Sequence, residues 1–297
     1  MAAAPPRVHT LQVLRNDIVV REWGSGNSSA LVYWPGLNPF GALDLIEAGP
    51  IWSERYGFRV VGISAPGCGE SSDLGEIDAY RPGCLAEVVL EVLDALELDR
   101  VGFIGFSWGG TIAARLAAVA PERLWALVLL DSGYNDRQTN PSFRPRTLAE
   151  IEAELREQQG RFRFPNWEAF LNTVSSQPHW RPELEDRYRA GMAEVAGEIV
   201  PRSNPESAAA AFHGIEAEPV AAIFPKLRAS GVPILLVASG QILSSESWAS
   251  EALERFRSAL PATDVEIVES AGHEVLTDQP STIGLIGNWL QENALRN

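Results

Sequence analysis

Short apolar runs rich in β-branched residues recur along this chain with helical stretches between most of them, and this alternation restricts the fold more than any other feature. The runs are Leu11–Leu14, Ile18–Glu22, Ala30–Trp34, Arg59–Ile63, Val101–Ile104, Ala126–Leu130, Ile234–Ala238 and Val265–Val268. From the third onward they are continuous rather than alternating, as expected of parallel strands buried on both faces. The first two lie close together across Arg15–Asp17 and predict an antiparallel hairpin. Leu85–Leu96 sets Leu85, Val88, Val89, Val92, Leu93 and Leu96 on one helical face. Thr111–Val119 is small and apolar, suited to packing tightly on a sheet, and Pro121 follows its end. The pattern predicts an α/β fold with a doubly wound, mostly parallel eight-stranded sheet, whose ligands bind at the carboxyl ends of the strands.

The alternation stops between about Tyr134 and Pro219. This stretch has charged helical patterns (Leu148–Gln159, Pro182–Glu198), prolines and several aromatics, but no good strand. It predicts a helical lid inserted between strands six and seven. The chain then divides into a first core part at 1–133, a lid at 134–219 and a second core part at 220–297.

The formal net charge of the 297 residues is −15, from 24 Lys and Arg against 39 Asp and Glu. Phosphate binding relies on clustered Lys and Arg, so nucleic acid and anionic membranes are excluded as partners. No apolar run approaches the roughly 20 residues that a membrane helix requires. Met1–Arg7 is short, Ala/Pro-rich and without an apolar core, which predicts no signal peptide. Cys68 and Cys84 make neither a disulfide framework nor a zinc pattern, and they read as reduced thiols of a cytoplasmic protein. The expectation is a monomer or homodimer acting on a small-molecule substrate, with no metal or organic cofactor.

One run leads directly into chemistry. Val101–Ile104 is followed by Gly105-Phe106-Ser107-Trp108-Gly109-Gly110 and then a helix. This is G-x-S-x-G in a strand–turn–helix context. The turn holds the serine in a strained conformation that brings neighbouring chain very close, and glycines two residues to either side permit it. The helix that follows aims its N-terminal N–H groups at charge developing beside Ser107.

With those residues the chain resembles the α/β-hydrolase superfamily over nearly its whole length. Leu31–Asn38 looks like the strand and oxyanion loop, with Pro35 where histidine is usual. Pro66-Gly67-Cys68-Gly69-Glu70-Ser71 looks like the turn often written D-x-P-G-x-G-x-S. Ser270-Ala271-Gly272-His273 looks like the turn that carries the catalytic base. The resemblance implies Ser107 as nucleophile, His273 as base, and the N–H groups of Leu37 and Trp108 as the oxyanion hole. Of the other histidines, His9 lies at the terminus, His213 where the insertion ends, and His179 in the lid.

A histidine base requires a carboxylate to hold its tautomer. The family's commonest acid position, just past the seventh strand, is occupied here by Ile242 or Leu243. Asp131, at the end of the sixth strand, is the leading candidate, and Glu246 is the alternative acid. Trp34, Gly36, Trp167, Trp180 and His179 are expected to line the substrate pocket, with Phe164 nearby in the lid. These features imply acyl transfer to water on an ester or lactone of an apolar, ring-containing small molecule. An acid after the sixth strand together with the altered oxyanion loop resembles lactonases that act on large macrolactones. A proline-iminopeptidase-like peptidase, resembled by Ser107–Thr111 and Gly67–Gly69, is an alternative that requires an acidic lid group such as Glu150, Glu152, Glu154 or Glu194. A non-catalytic binder built on the same fold is another.

Overall fold

The computed structural model describes residues 5–25 and 29–296. Met1–Ala4, the head of the stretch read as lacking a signal-peptide core, lie outside the described residues. The strands are β1 (Arg7–Val13), β2 (Asn16–Trp23), β3 (Ala30–Trp34), β4 (Arg59–Ile63), β5 (Val101–Phe106), β6 (Leu124–Leu130), β7 (Met192–Val195), β8 (Glu198–Pro201), β9 (Ile234–Ser239) and β10 (Asp264–Val268). Among the described residues an eight-stranded sheet runs in the order β1-β2-β4-β3-β5-β6-β9-β10. It is parallel from β4 to β10, while β2 pairs antiparallel with both β1 and β4. Each of the eight apolar runs in the sequence falls in one of its strands, except that Leu14, the end of the first run, lies in the turn after β1 with φ 49°.

The central strands are buried on both sides because alternate residues supply two separate cores. Leu127 and Leu129 of β6 join one core, which includes Leu85, Val88 and Val92 of helix Pro82–Ala95 and Ile112 of helix Trp108–Val119. Val128 and Leu130 join the other, with Trp52, Ile283, Ile286 and Leu290 on helices Ala48–Glu54 and Ser281–Ala294. β10 departs from the expected continuous burial. As an edge strand it leaves Asp264, Glu266 and Ile267 exposed.

The segment between β6 and β9 carries helices Leu148–Gly160, Trp167–Val174, Glu185–Ala190 and Pro205–Ala217. A capping box, with Thr147 and Glu150 satisfying each other's backbone N–H groups, begins the first of them. The helical pattern expected over Pro182–Glu198 does not continue. It stops at Ala190, and β7 and β8 form an antiparallel hairpin. Ala196 and Gly197 both have positive φ, 53° and 83°, the geometry of a tight hairpin turn. Met192 and Ile199 thereby reach a small core with Phe170 and Val174. Among the described residues, no helix is long and apolar enough to cross a membrane.

Candidate active site

Ser107 stands between β5 and helix Trp108–Val119 with φ 53° and ψ −118°. This conformation is costly for a side chain with a Cβ and is maintained only by close packing around it. The glycines allow that packing. A side-chain carbon on Gly109 would collide with the Trp34 carbonyl and lie 2.8 Å from that of Pro35, and one on Gly105 would collide with the Gly109 carbonyl. The helix is therefore pressed onto the end of β3. The Ser107 N–H donates to Leu130 O at 3.1 Å, tying the turn to β6.

Asp131 follows β6 with φ 43°, a region that Asp tolerates better than most residues. Its N–H donates to Val237 O on β9 at 2.7 Å. Its carboxylate is buried, and Oδ1 accepts from the Ser239 N–H at 2.9 Å and the Tyr134 hydroxyl at 3.2 Å. Oδ2 lies 2.7 Å from His273 Nδ1, and His273 Nε2 lies 2.8 Å from Ser107 Oγ. A carboxylate only accepts, so the imidazole proton belongs on Nδ1 and Nε2 is free to accept from the serine hydroxyl. Ser107, His273 and Asp131 are thus brought together in one array. Glu246 is not part of it. Its carboxylate accepts from Trp248 Nε1 at 2.9 Å, at the start of helix Ser247–Ala259.

The loop after β9 takes a different role from supplying an acid. Ser239 caps the short helix Gly240–Ser245, and its hydroxyl donates to Ala271 O at 2.8 Å. Gln241 Nε2 donates to Ser270 O at 2.8 Å. Together with the Gly272 N–H bond to Asp278 Oδ2 at 2.8 Å, these contacts fix the backbone of the histidine turn. The Phe106 ring packs 5.0 Å from the imidazole. Tyr134 and Ser239 stand in no sequence motif, and Phe106 occupies a variable position of G-x-S-x-G, so the pattern assigns none of the three a role.

Gly36 lies so close to the serine that a Cβ built on it would stand 3.1 Å from Ser107 Cβ. Asn38 N–H turns back to Gly36 O at 2.9 Å, and the Leu37 N–H between them has no acceptor among the described residues. The Trp108 N–H, in the first turn of its helix, has no carbonyl one turn earlier to bond. Both amides predicted for an oxyanion hole are therefore unspent, one next to Ser107 in the chain and the other next to Gly36, which lies against it.

A cavity of about 390 Å³ begins at Leu37 and extends beneath the inserted segment. Phe40, Phe162, Phe170, Tyr188 and Phe212 supply aromatic wall, with Gln158 and Gln159 as polar points. Cys68 also lines it, and burial pushes its thiol up to about 12.

None of the five expected pocket residues lines this cavity. Trp34 is fully buried in the sheet core, edge-on to Trp108 at 5.8 Å. Trp167 packs on Phe170, and Trp180 joins the same small core, so both hold the insertion together rather than facing the cavity. His179 is on the surface, 3.7 Å from Asp278. Gly36 lies against Ser107 itself rather than in the cavity wall. Their aromatic or polar character was legible in the sequence, but the direction each faces is decided by packing.

A buried cation adjoins the site. Arg187, from helix Glu185–Ala190, is 2% exposed and pairs with Asp44 at 3.0 Å and Glu274 at 2.8 Å. Burial raises the Asp44 carboxyl above its ordinary value, opposed by the Arg187 charge beside it. No sequence pattern marked this group, because its members come from three distant segments.

A strained serine, an oriented imidazole and a buried carboxylate at the carboxyl edge of such a sheet define enzymes that hydrolyse through an activated side chain. The family model described as "alpha/beta hydrolase fold" matches residues 25–280. The chain belongs to that family and is a hydrolase. It is 30% identical to the esterase Rv0045c of Mycobacterium tuberculosis, over 76% of this chain and 72% of that protein. It is 26% identical to a putative 2-succinyl-6-hydroxy-2,4-cyclohexadiene-1-carboxylate synthase of Bacillus subtilis (strain 168), over 77% and 79% respectively. Among solved structures, E-2-(acetamidomethylene)succinate hydrolase superposes with a TM-score of 0.72 at 21% identity, covering 96% of this chain and 99% of that one.

Proposed function

We propose that this protein cleaves a carboxylic ester or lactone of an apolar, ring-containing small molecule through an acyl-enzyme on Ser107. The observation that carries this reading is the array Asp131–His273–Ser107, at 2.7 and 2.8 Å, on a serine whose backbone strain is maintained by the packing of β3.

In the first step Ser107 Oγ attacks the acyl carbon while His273 Nε2 takes its proton. The imidazolium is steadied by Asp131, and the oxyanion by the N–H groups of Leu37 and Trp108. His273 returns the proton to the leaving alkoxide as the acyl–oxygen bond breaks. Water then attacks the acyl-enzyme with His273 again as base, releasing the acid and restoring Ser107. The His273 side chain is 47% exposed, so water has a route to it. The cavity at Leu37 suits an apolar group, and its volume falls in the roughly 300–1,000 Å³ range of small-molecule sites. The segment 134–219 serves as the lid over this cavity. The free thiols Cys68 and Cys84 suit the cytoplasm we assign to the protein.

The peptidase alternative requires a carboxylate to hold a substrate amine. Among the described residues that line the cavity there is none, and Glu150, Glu152, Glu154 and Glu194 are not in its wall. A non-catalytic binder has no need of a complete array, and Asp131 stands at hydrogen-bond distance from His273, which favours catalysis.

Labelling with a fluorophosphonate, read by intact mass, tests the reading. One adduct per chain is expected, absent from Ser107→Ala, and turnover of aryl esters should vanish in the same variant. A folded parent that takes no adduct and turns over no ester or lactone would overturn it.

A further inference from the structure

We infer that Arg187 is a positioning residue through which the inserted segment sets both the oxyanion loop and the histidine turn. The inference rests on the hydrolase roles proposed for Leu37 and His273.

The connections are direct. Arg187 Nε donates to Asp44 Oδ1 at 3.0 Å. The other Asp44 oxygen accepts from Asn38 Nδ2 at 2.7 Å and from the Tyr33 hydroxyl at 3.0 Å. Asn38 follows Leu37 in the oxyanion loop, and its own Oδ1 accepts from the Phe40 N–H at 2.9 Å. In the other direction Arg187 Nη2 donates to Glu274 Oε2 at 2.8 Å, and Glu274 follows His273. The guanidinium also lies 4.0 Å from the centre of the Phe40 ring, a wall of the substrate cavity. One cation from the insertion therefore ties two loops of the core that no other described ion pair joins.

Stability alone is a poor explanation for such a group. Buried ion pairs are often replaceable by apolar side chains without loss of stability. The planar fork of arginine instead fixes direction, because two acceptors on different loops must meet it at set angles. Arg181 supports the same arrangement nearby, pairing with Glu47 and donating to Thr277 O at 3.0 Å.

Arg187→Met, Arg187→Lys and Asp44→Asn test this, each checked for folding by its thermal transition and assayed below it. A displacement of about an ångström at a reacting group costs on the order of 10²-fold in rate. Arg187→Met is expected to lower kcat on a short aryl ester by about that factor, with KM within about threefold. Fluorophosphonate labelling of Ser107 should slow in parallel, and Arg187→Lys should recover part of the loss. Asp44→Asn combined with Arg187→Met should cost little more than the worse single variant, as expected of one coupled unit.

Amide hydrogen exchange reads the same positioning without substrate. Segments 36–45 and 270–278 should exchange about tenfold faster in Arg187→Met while β5 and β6 remain unchanged. Unchanged exchange in both segments, or a folded Arg187→Met with parental kcat, would overturn the inference. A raised KM with unchanged kcat would also overturn it, by assigning Arg187 to the cavity wall. A parent that fails to label would instead remove the acyl-enzyme reading of Ser107, with exchange still deciding whether Arg187 holds the two loops.

Discussion

Asp131 Oδ2 and His273 Nδ1 lie 2.7 Å apart although 142 residues separate them in the chain. The carboxylate comes from the end of β6, and β9 beside it holds the residue in place, through Val237 O on its backbone N–H and the Ser239 N–H on its carboxylate. In this protein the loop after β9 braces the histidine turn through Ser239 and Gln241, and the strand next to it supplies the acid.

Asp131→Asn should therefore lower kcat by about 10³–10⁴-fold, the scale of the handicap from a wrong imidazole tautomer in serine proteases. The amide can still pack in the same space, so the thermal transition should move little. Glu246→Gln should leave kcat unchanged, since Glu246 contacts Trp248 rather than His273. Steady-state kinetics on a common ester decides the matter, and a large loss in Glu246→Gln with none in Asp131→Asn would reverse the assignment.

Ala208 faces the cavity from helix Pro205–Ala217. Ala208→Trp should fill part of that volume and penalise esters with bulky acyl or alcohol parts while sparing acetate esters. Misfit of small apolar increments in a pocket is worth about 10–200-fold in kcat/KM, and a discrimination of this size is expected. Equal effects on acetate and bulky esters would place the substrate outside this cavity.

Cys68 yields a pH prediction. Burial pushes its thiol from an ordinary 9.0 up to about 12. The reactive species is the thiolate, so at pH 8 the folded protein should leave Cys68 unalkylated by iodoacetamide. The sign for stability follows from linkage: the folded state holds the proton more tightly than the unfolded state does. The stabilisation is full below the unfolded value and is lost as pH rises from about 9 toward 12. Peptide mass mapping should find Cys68 modified only in denaturant, and full modification at pH 8 in the folded protein would contradict the burial.

The sequence alone determined the succession of strands and helices along the chain, the serine elbow and the histidine turn. Each is written locally. Doubly buried strands require continuous apolar runs, and a strained nucleophile requires Gly109 to let the end of β3 approach and Gly105 to let the following helix pack against β5. Tertiary structure decided between Asp131 and Glu246, because only the order β6-β9-β10 brings one strand end to the histidine turn. It also turned Trp34, Trp167 and Trp180 into packing residues, since composition marks an aromatic for burial without stating against what. The β7–β8 hairpin escaped notice because its strands are four residues long and follow a charged helical pattern. The Arg187 pairs join residues 143 and 87 positions apart. Nothing local in the chain marks such partners, and they meet only because the insertion folds back over the carboxyl edge of the sheet.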